Sequence, residues 1–521
     1  MYSGVWAVSP PPSHHLSTPM QQFRVWPDFT HPDSITYWKE MLQSMYDLFE
    51  FDGAWINREE VSTNVTCRQD MNEPSNFLDG SSTGCADNSL NNPPFTPGVS
   101  GGSLISRTVC MDADQYAGKH YNLHNMYGFT EAIVTSTVLS EIRQKRPFAI
   151  SRSSFVGLGS YVGHWSGDIS SSWGDMAWTV PELLSMSLFG IPLMGADICG
   201  FNGNTNNALC QRWMELGAFY PFSRNHNGKG YTAQDPASLG DDVVTASKKA
   251  LLVRYSLLPY LYTLFYEAHK DGSTVVTPIF FEFPSDESTY SIDTAFMWGS
   301  GLLIAPVLTE VPQSVTRPRH KWTSTYRLAQ WYDFYTGALL TSGGADTTLD
   351  APLDTIPLLV RGGHILPMQE PGMTTTASRK NNFQLMVASD ESGSASGELY
   401  WDDGDTLGKT ERDKGLLGHS CPLLPKTFEP SSLFAGTYEA GAYTLVSFSL
   451  QSSQLTGTPR KTGYTGENMN LATITVLGVS SASSVTANGG SATFTYDGTN
   501  KVLTITGLTI SLSDSFTVTW S

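Results

Sequence analysis

Across the first 300 residues, short apolar runs alternate with longer amphipathic stretches. That alternation restricts the fold more than any other feature, because a buried strand followed by a helix, repeated, describes a parallel α/β sheet. FDGAWI (51–56), PFAISRSSF (147–155), SLFGIPLMGADI (187–198), GAFYPFSRNH (217–226) and VVTPIFFEF (275–283) each read as a buried strand ending in polar or aromatic residues. In an eight-stranded β/α barrel the loops after the strands share one face, and catalytic groups gather there. Asp168, Asp197 and His226 all fall just after such runs. Between the last two runs, Asp241 to Lys270 reads as one long helix with apolar faces, covering the outside of the barrel.

After about residue 300 the texture turns to Thr-, Val-, Gly- and Ser-rich sequence, and charges thin out from about residue 430. LLIAPVL, DTIPLLVRGGHILPM and ELYWDDGDTL predict a first small sandwich, and SATFTYDGTNKVLTITGLTISLSDSFTVTW alternates like the strands of a second. The expected organisation is a catalytic barrel over 1–300, a proximal β domain over 301–367 and a distal β-sandwich over 368–521. The acidic cluster Asp402, Asp403 and Asp405 reads as a turn with solvated carboxylates, the alternative being a cation site.

A chain of 521 residues is too long for one core. Its formal charge of −18 disfavours a polyanionic partner such as nucleic acid, since phosphate binding needs clustered Lys and Arg to displace counterions. No run approaches the roughly 20 apolar residues of a membrane span, and the amino terminus has no basic stretch followed by an apolar one. Cys85 and Cys110 bracket a Pro/Gly/Asn-rich loop, and Cys199 and Cys210 bracket FNGNTNNAL. That spacing suits two loop-closing disulfides and equally four free thiols of a reducing compartment. Cys67 and Cys421 have no evident partners, and Asn64-Val65-Thr66 is a glycosylation sequon.

The strongest chemical signal is a pair of carboxylates, Asp70 in DMNEPSNF and Asp168 in GHWSGD. Retaining cleavage of a glycosidic bond needs one carboxylate to attack the sugar carbon and another, about 5 Å away, to protonate the leaving oxygen. Read alone, Asp70 caps a helix opened by DMNEP, Asp197 is a turn carboxylate, His226 a core histidine and Trp55 core packing.

DMNEPSNF, SRSSFVGLGSYVGHWSGD, GADICGF, FYPFSRNHN and LYWDDGDTL, in this order, resemble glycoside hydrolase family 31 from Phe23 onward. The loop GCADNSLNNPPFTPGVSGGSL resembles that family's acid α-glucosidases of the lysosomal type. The resemblance implies a retaining exo-α-glucosidase removing terminal glucose from α-1,4-linked malto-oligosaccharides or glycogen, without a cofactor or metal, in a lysosomal, vacuolar or secreted setting. It implies Asp70 as nucleophile and Asp168 as general acid, then base. Arg152, Asp197 and His226 would bind glucose hydroxyls, and Trp55, Met71, Trp165 and Phe201 would form the pocket walls. Asp168 is expected to have a raised pKa from an apolar setting near Trp165 and from the other carboxylate, and Asp70 to stay ionised beside Arg152. Glu73 is expected to be structural, accepting hydrogen bonds beneath the nucleophile.

The chain also departs from the family pattern. Trp55-Ile56 should lead directly into the nucleophile, but Asn57 to Gln69 intervenes, so Asp70 reaches the strand end only if that insert loops out. Family members carry an amino-terminal sandwich and the first barrel strands ahead of VWPDF, so the expectation is an incomplete (β/α)8 TIM barrel with Gly4 to Trp6 as a remnant strand, Trp6 a possible pocket residue, and a secretion signal lost with the missing region. Such a barrel exposes sheet edges and is expected to fold poorly. Val311 to Leu328 and Gly408 to Gly436 also look foreign. Retained intron sequence and a missed start would explain these departures. The alternatives to the α-glucosidase are an impaired fragment that only binds carbohydrate, and a related α-xylosidase or trimming glucosidase.

Overall fold

The computed structural model describes residues 6–7, 26–56, 58–60, 68–75, 79–81, 84–310, 319–322, 329–340, 347–407 and 441–521, with backbone alone at 6–7, 58–60, 68–70, 319–322 and 347–348. Asn57, the Asn64 sequon, Cys67, Cys421 and the segment 408–436 lie outside the described residues, as do the side chains of Trp6 and Asp70. The chain forms two compact units, residues 1–165 with 405–440, and residues 166–404 with 441–521.

In the first unit three short strands run parallel: Ala54–Ile56 beside Ala149–Ser151, and Ala149–Ser151 beside Gly163–Trp165. Their register places Ile56 opposite Ser151 and Ser151 opposite His164, so the three carboxyl ends lie level. Trp55 is 41% exposed and Ile56 buried, the alternation a strand of period two requires. Helix Ser34–Tyr46 packs on helix Tyr127–Arg143 over a small aromatic core. Phe29 lies edge-on to Trp38 at 5.1 Å and to Tyr127 at 5.6 Å, and the Trp38 indole donates to Thr135 Oγ1 at 2.9 Å. Helix Tyr127–Arg143 is buried on nearly every side, which its Ala/Ile/Val/Thr-rich sequence allows. The expected remnant barrel strand at Gly4 to Trp6 is described only as Trp6–Ala7, which pairs antiparallel with Trp26–Pro27, whereas barrel strands pair in parallel.

In the second unit, strands Met194–Gly195 and Asp197–Ile198 follow helix Trp173–Leu188, and Asp197–Ile198 pairs in parallel with Arg224–Asn225. Ser172 caps the helix through the Asp175 amide at 3.0 Å. Trp213, Tyr220 and Trp298 are fully buried and hydrogen-bonded. Tyr220 Oη accepts from Trp213 Nε1 at 3.1 Å, and Trp298 Nε1 donates to the Phe219 carbonyl at 2.9 Å. The single helix expected over Asp241 to Lys270 is two, Asp241–Ser256 and Leu258–Asp271, broken at Leu257. The cause is Pro259, which has no N–H to continue the ladder and so opens a new first turn. VVTPIFFEF is likewise not one strand. Val276–Thr277 pairs antiparallel with Met297–Trp298 and Ile279–Glu282 is helical, because Pro278 ends the ladder.

The β-rich region bears out the change of texture. Among the described residues, six strands from Val276 to Arg361 form one sheet, and the strands from His364 to Trp520 form a second, twelve-stranded one. Tyr266 stacks on Tyr400 at 4.2 Å beside the second sheet. Asp402 is not solvated: it is fully buried and accepts from Tyr262 Oη at 2.7 Å, Tyr400 Oη at 2.9 Å and the Gly404 amide at 2.8 Å. No helix among the described residues is long and apolar enough to cross a membrane, and no cluster of His, Cys, Asp or Glu there suits a metal ion.

Candidate active site

In the first unit the insert ahead of Asp70 doubles back on itself. Arg58–Glu60 pairs antiparallel with Arg68–Asp70, with Arg58 opposite Asp70, so the chain returns next to the end of strand Ala54–Ile56. Asp70 then enters a turn, not a helix, closed by reciprocal backbone bonds between Met71 and Ser75 at 2.8 Å. The turn is pinned to the strand ends. Asn72 Nδ2 donates to Ser151 Oγ at 2.8 Å, Asn72 Oδ1 accepts from the Ser153 amide at 3.2 Å, and Ser151 Oγ donates to the Ser153 carbonyl at 2.8 Å. Arg152 forks onto Glu73, with Nε to Oε1 at 2.7 Å and Nη2 to Oε2 at 3.0 Å, and Nη2 also meets Met71 Sδ. A bidentate fork of this kind fixes both planes. Trp55 and Trp165 lie edge to face at 5.5 Å, Trp55 half-exposed and Trp165 fully buried. Cys85 and Cys110 are joined as a disulfide, closing a loop that Asn88 stiffens by accepting from the amides of Leu90 and Asn91 at 3.0 Å.

In the second unit the loops bearing Asp168 and Phe201 are laced together. The Phe201 amide donates to the Ile169 carbonyl at 2.8 Å, the Ser171 amide to the Asn202 carbonyl at 2.8 Å, and Asn202 Nδ2 to the Asp168 carbonyl at 2.8 Å. Only glycine fits at position 200, where φ is +85° and a Cβ would lie 2.5 Å from the Ser171 backbone. The Cys199–Cys210 disulfide anchors the same loop. Asp168 is exposed, not set in an apolar pocket. Asp197 is buried and pairs through Oδ1 with Arg224 Nη2, its register neighbour, while Oδ2 has no hydrogen-bond partner among the described residues. Burial raises its pKa to about 6 against the pull of Arg224, and the charge of Asp168 pushes the same way. The half-buried His226 ring lies 5.3 Å from Phe201, and its pKa is lowered by burial and by Arg224.

The structure thus gathers Trp55, Met71, Arg152 and Trp165 at the strand ends of one unit, and Asp197 on a strand with Asp168, Phe201 and His226 on the adjoining loops of the other. Several residues of these assemblies escaped the sequence reading. Gln234 is buried and donates to the carbonyls of Ile198, Gly200 and His226 at 3.0–3.1 Å, holding strand end and loop together. Arg224 carried a signal, since it stands two residues before His226 in the run GAFYPFSRNH read as a strand, where alternate residues share a side. Asn72, Ser151 and Gln234 carried none, because their partners are distant in sequence.

The profile of the glycosyl hydrolases family 31 TIM-barrel domain matches residues 3–264, and that of the glycosyl hydrolase family 31 C-terminal domain matches residues 272–366. Lysosomal alpha-glucosidase of Rattus norvegicus is 44% identical over 511 residues, covering 95% of this chain and 49% of that protein. Intestinal sucrase-isomaltase of Homo sapiens is 40% identical over 508 residues, covering 95% and 25%. The crystal structure of a glucosidase II alpha subunit superposes with a TM-score of 0.74 at 25% identity, covering 95% and 49%. The chain therefore spans about half the length of the lysosomal relatives it matches. The barrel profile and the β-rich profile follow one another in the order in which the strands change from parallel to antiparallel, and the protein belongs to glycosyl hydrolase family 31.

Proposed function

We propose that the chain acts as a retaining exo-α-glucosidase on α-1,4-linked malto-oligosaccharides or glycogen. In this reading Asp70 attacks the anomeric carbon and forms a glucosyl ester. Asp168 first protonates the leaving oxygen and then deprotonates the water that opens the ester. Its exposure lets that water in. The observation that carries the reading is the Asp197 carboxylate, buried with one oxygen paired and the other without a partner. A buried acceptor left open is costly unless a ligand hydroxyl fills it, and Phe201 and His226 supply the adjoining flat ring and polar tip for a sugar. The likeness to proteins named lysosomal alpha-glucosidase supports a lysosomal setting for this activity.

The test is release of glucose from maltose and p-nitrophenyl α-glucoside by the full chain, with NMR of the first-formed anomer. The expected product is α-glucose, and Asp168→Asn should lower turnover by at least about 100-fold. The insert before Asp70 favours a second reading, a carbohydrate-binding protein without turnover. Saturable binding of a glucose analogue by a chain that hydrolyses neither substrate would establish that second reading and defeat the first.

A further inference from the structure

In the second unit, residues of helix Leu258–Asp271 and of the ends of strands His364–Gln369 and Ser394–Trp401 line a cavity of about 260 Å³. That is just under the roughly 300–1,000 Å³ of pockets for drug-sized ligands, so it suits a smaller molecule. Leu258, Leu261, Phe265 and Trp401 make its walls apolar. Uncharged polar side chains in the lining are spent on the protein itself. Tyr262 Oη donates to Asp402 at 2.7 Å, Gln369 Nε2 to the Asn381 carbonyl at 2.8 Å and Ser378 Oγ to the Thr374 carbonyl at 3.0 Å.

Charge is the exception. The lining holds two arginines and no carboxylate, in a chain whose formal charge is −18. Arg379 is neutralised, since Glu467 accepts from its Nε at 3.0 Å and pairs with its Nη2 at 2.8 Å, and its guanidinium lies 4.2 Å from the Trp401 ring centre. Arg254 is not. Its Nη1 donates to the carbonyls of Ala218 and Tyr220 at 2.7 and 2.6 Å and its Nη2 to that of Pro221 at 2.9 Å, just past the end of helix Asn207–Gly217, and no carboxylate among the described residues pairs with it. A helix carboxyl end carries about half a negative charge, so roughly half of the guanidinium charge stays uncompensated. Burial pulls the Arg254 pKa down to about 10, which still leaves a cation at neutral pH. Of the five N–H donors of a guanidinium, those three bonds leave one on Nε and one on Nη2, neighbours on the edge that grips both oxygens of a carboxylate. Pro221 itself lines the cavity, so the bond to its carbonyl sets the Arg254 head group at the cavity wall.

We propose that this cavity binds a small organic carboxylate with an apolar body, the carboxylate forked onto Arg254 and the body packed against Leu258, Leu261, Phe265 and Trp401. The proposal does not rest on the glucosidase reading, because none of these residues was assigned to the sugar. A ligand held this way binds the folded chain alone and so stabilises it.

Isothermal titration of the full chain with 3-phenylpropionate at pH 7 tests the proposal, with thermal melts alongside. The expected result is saturable binding at one site and a melting temperature that rises with ligand concentration. Binding of 3-phenylpropan-1-ol, which keeps the body and lacks the charge, should be at least about tenfold weaker. Leu258→Trp adds an indole to the wall from a partly buried position and should abolish binding in a chain that still melts cooperatively. Arg254→Lys keeps a cation for the carbonyls but loses the fork, and should weaken binding at least about tenfold. No saturation by about 10 mM, equal affinity for the alcohol, or undiminished binding in either folded variant overturns the proposal. Displacement by maltose overturns it too, since the ligand would then sit in the sugar site. The alcohol comparison needs no variant, and it decides the role of the charge even where neither variant folds.

Discussion

Replacing Gly128 by alanine tests whether helix Tyr127–Arg143 clamps the turn that follows Asp70. A methyl built there lies 2.4 Å from Ser153 Cβ, 2.6 Å from Ser153 Oγ and 2.7 Å from the Asn72 carbonyl oxygen. Comfortable carbon contacts begin near 3.5 Å, so helix and turn must part by about 1 Å. Helix propensity favours alanine by about 1 kcal/mol, whereas forcing a methyl into a packed interior costs about 1–3 kcal/mol. One obstacle is backbone, in a turn closed in both directions at 2.8 Å, so the upper part of that range applies. The net loss is about 1–2 kcal/mol, or roughly 3–6 °C in the melting temperature of a unit this size. Turnover should suffer more, since Asn72 sits between Met71 and Glu73, and a displacement of about 1 Å in positioning costs about 100-fold. The comparator is Gly174 in helix Trp173–Leu188, where the nearest atom to an added Cβ is Ser172 Oγ at 3.8 Å. Gly174→Ala should be neutral, or stabilising by up to about 1 kcal/mol. Thermal melts of both variants, with hydrolysis of p-nitrophenyl α-glucoside alongside, decide the matter. A Gly128→Ala protein that melts like Gly174→Ala would refute the clamp.

Three other outcomes follow from buried polar groups. Arg212 bonds Glu215 at 3.0 Å and the carbonyls of Ala351 and Pro352 at 2.7 and 2.9 Å, with both side chains almost wholly buried. Arg212→Ala should therefore cost about 3–5 kcal/mol, and the double variant Arg212→Ala/Glu215→Leu less, as read from urea midpoints. Asp197 titrates higher folded, near 6, than unfolded, near 3.8, so the folded state holds its proton more tightly. Stability from this group is full below the unfolded value and declines as pH rises through the folded one, and Asp197→Asn should remove that decline from a stability–pH profile. Gln234→Leu strips the buried carbonyls of Ile198 and Gly200, and that of His226, of their donor and should cost about 1–3 kcal/mol. It should also raise KM more than it lowers kcat, by freeing the loop that carries His226.

What the sequence made legible was what periodicity and local chemistry encode. The strand ends at Ile56, Ser151 and Ile198 follow from apolar runs, and the change to antiparallel sheet follows from the Thr/Val-rich texture. Where proline interrupts an apolar pattern, at Pro259 and Pro278, hydropathy alone hid the break. The site residues came from motif likeness, and what fixes them came from pairings no local pattern records. Arg152 with Glu73 spans 79 positions, and Gln115 with Asp28 spans 87. His120 and His124 do stand four apart on one helical turn, a spacing that brings their ring nitrogens to 2.9 Å, but His120 Nδ1 also meets Gln115, which donates to Asp28 far upstream.

The hairpin between Arg58–Glu60 and Arg68–Asp70 has a practical consequence. Cross-strand partners stand about 5 Å apart and successive Cα atoms 3.8 Å apart, so this excursion lengthens the chain while barely altering its span. A detour of that shape is a natural place for a reporter. A spin label or fluorophore at Glu59 or Gln69, one rung from Asp70, would travel with that residue and register whatever moves it when sugar arrives.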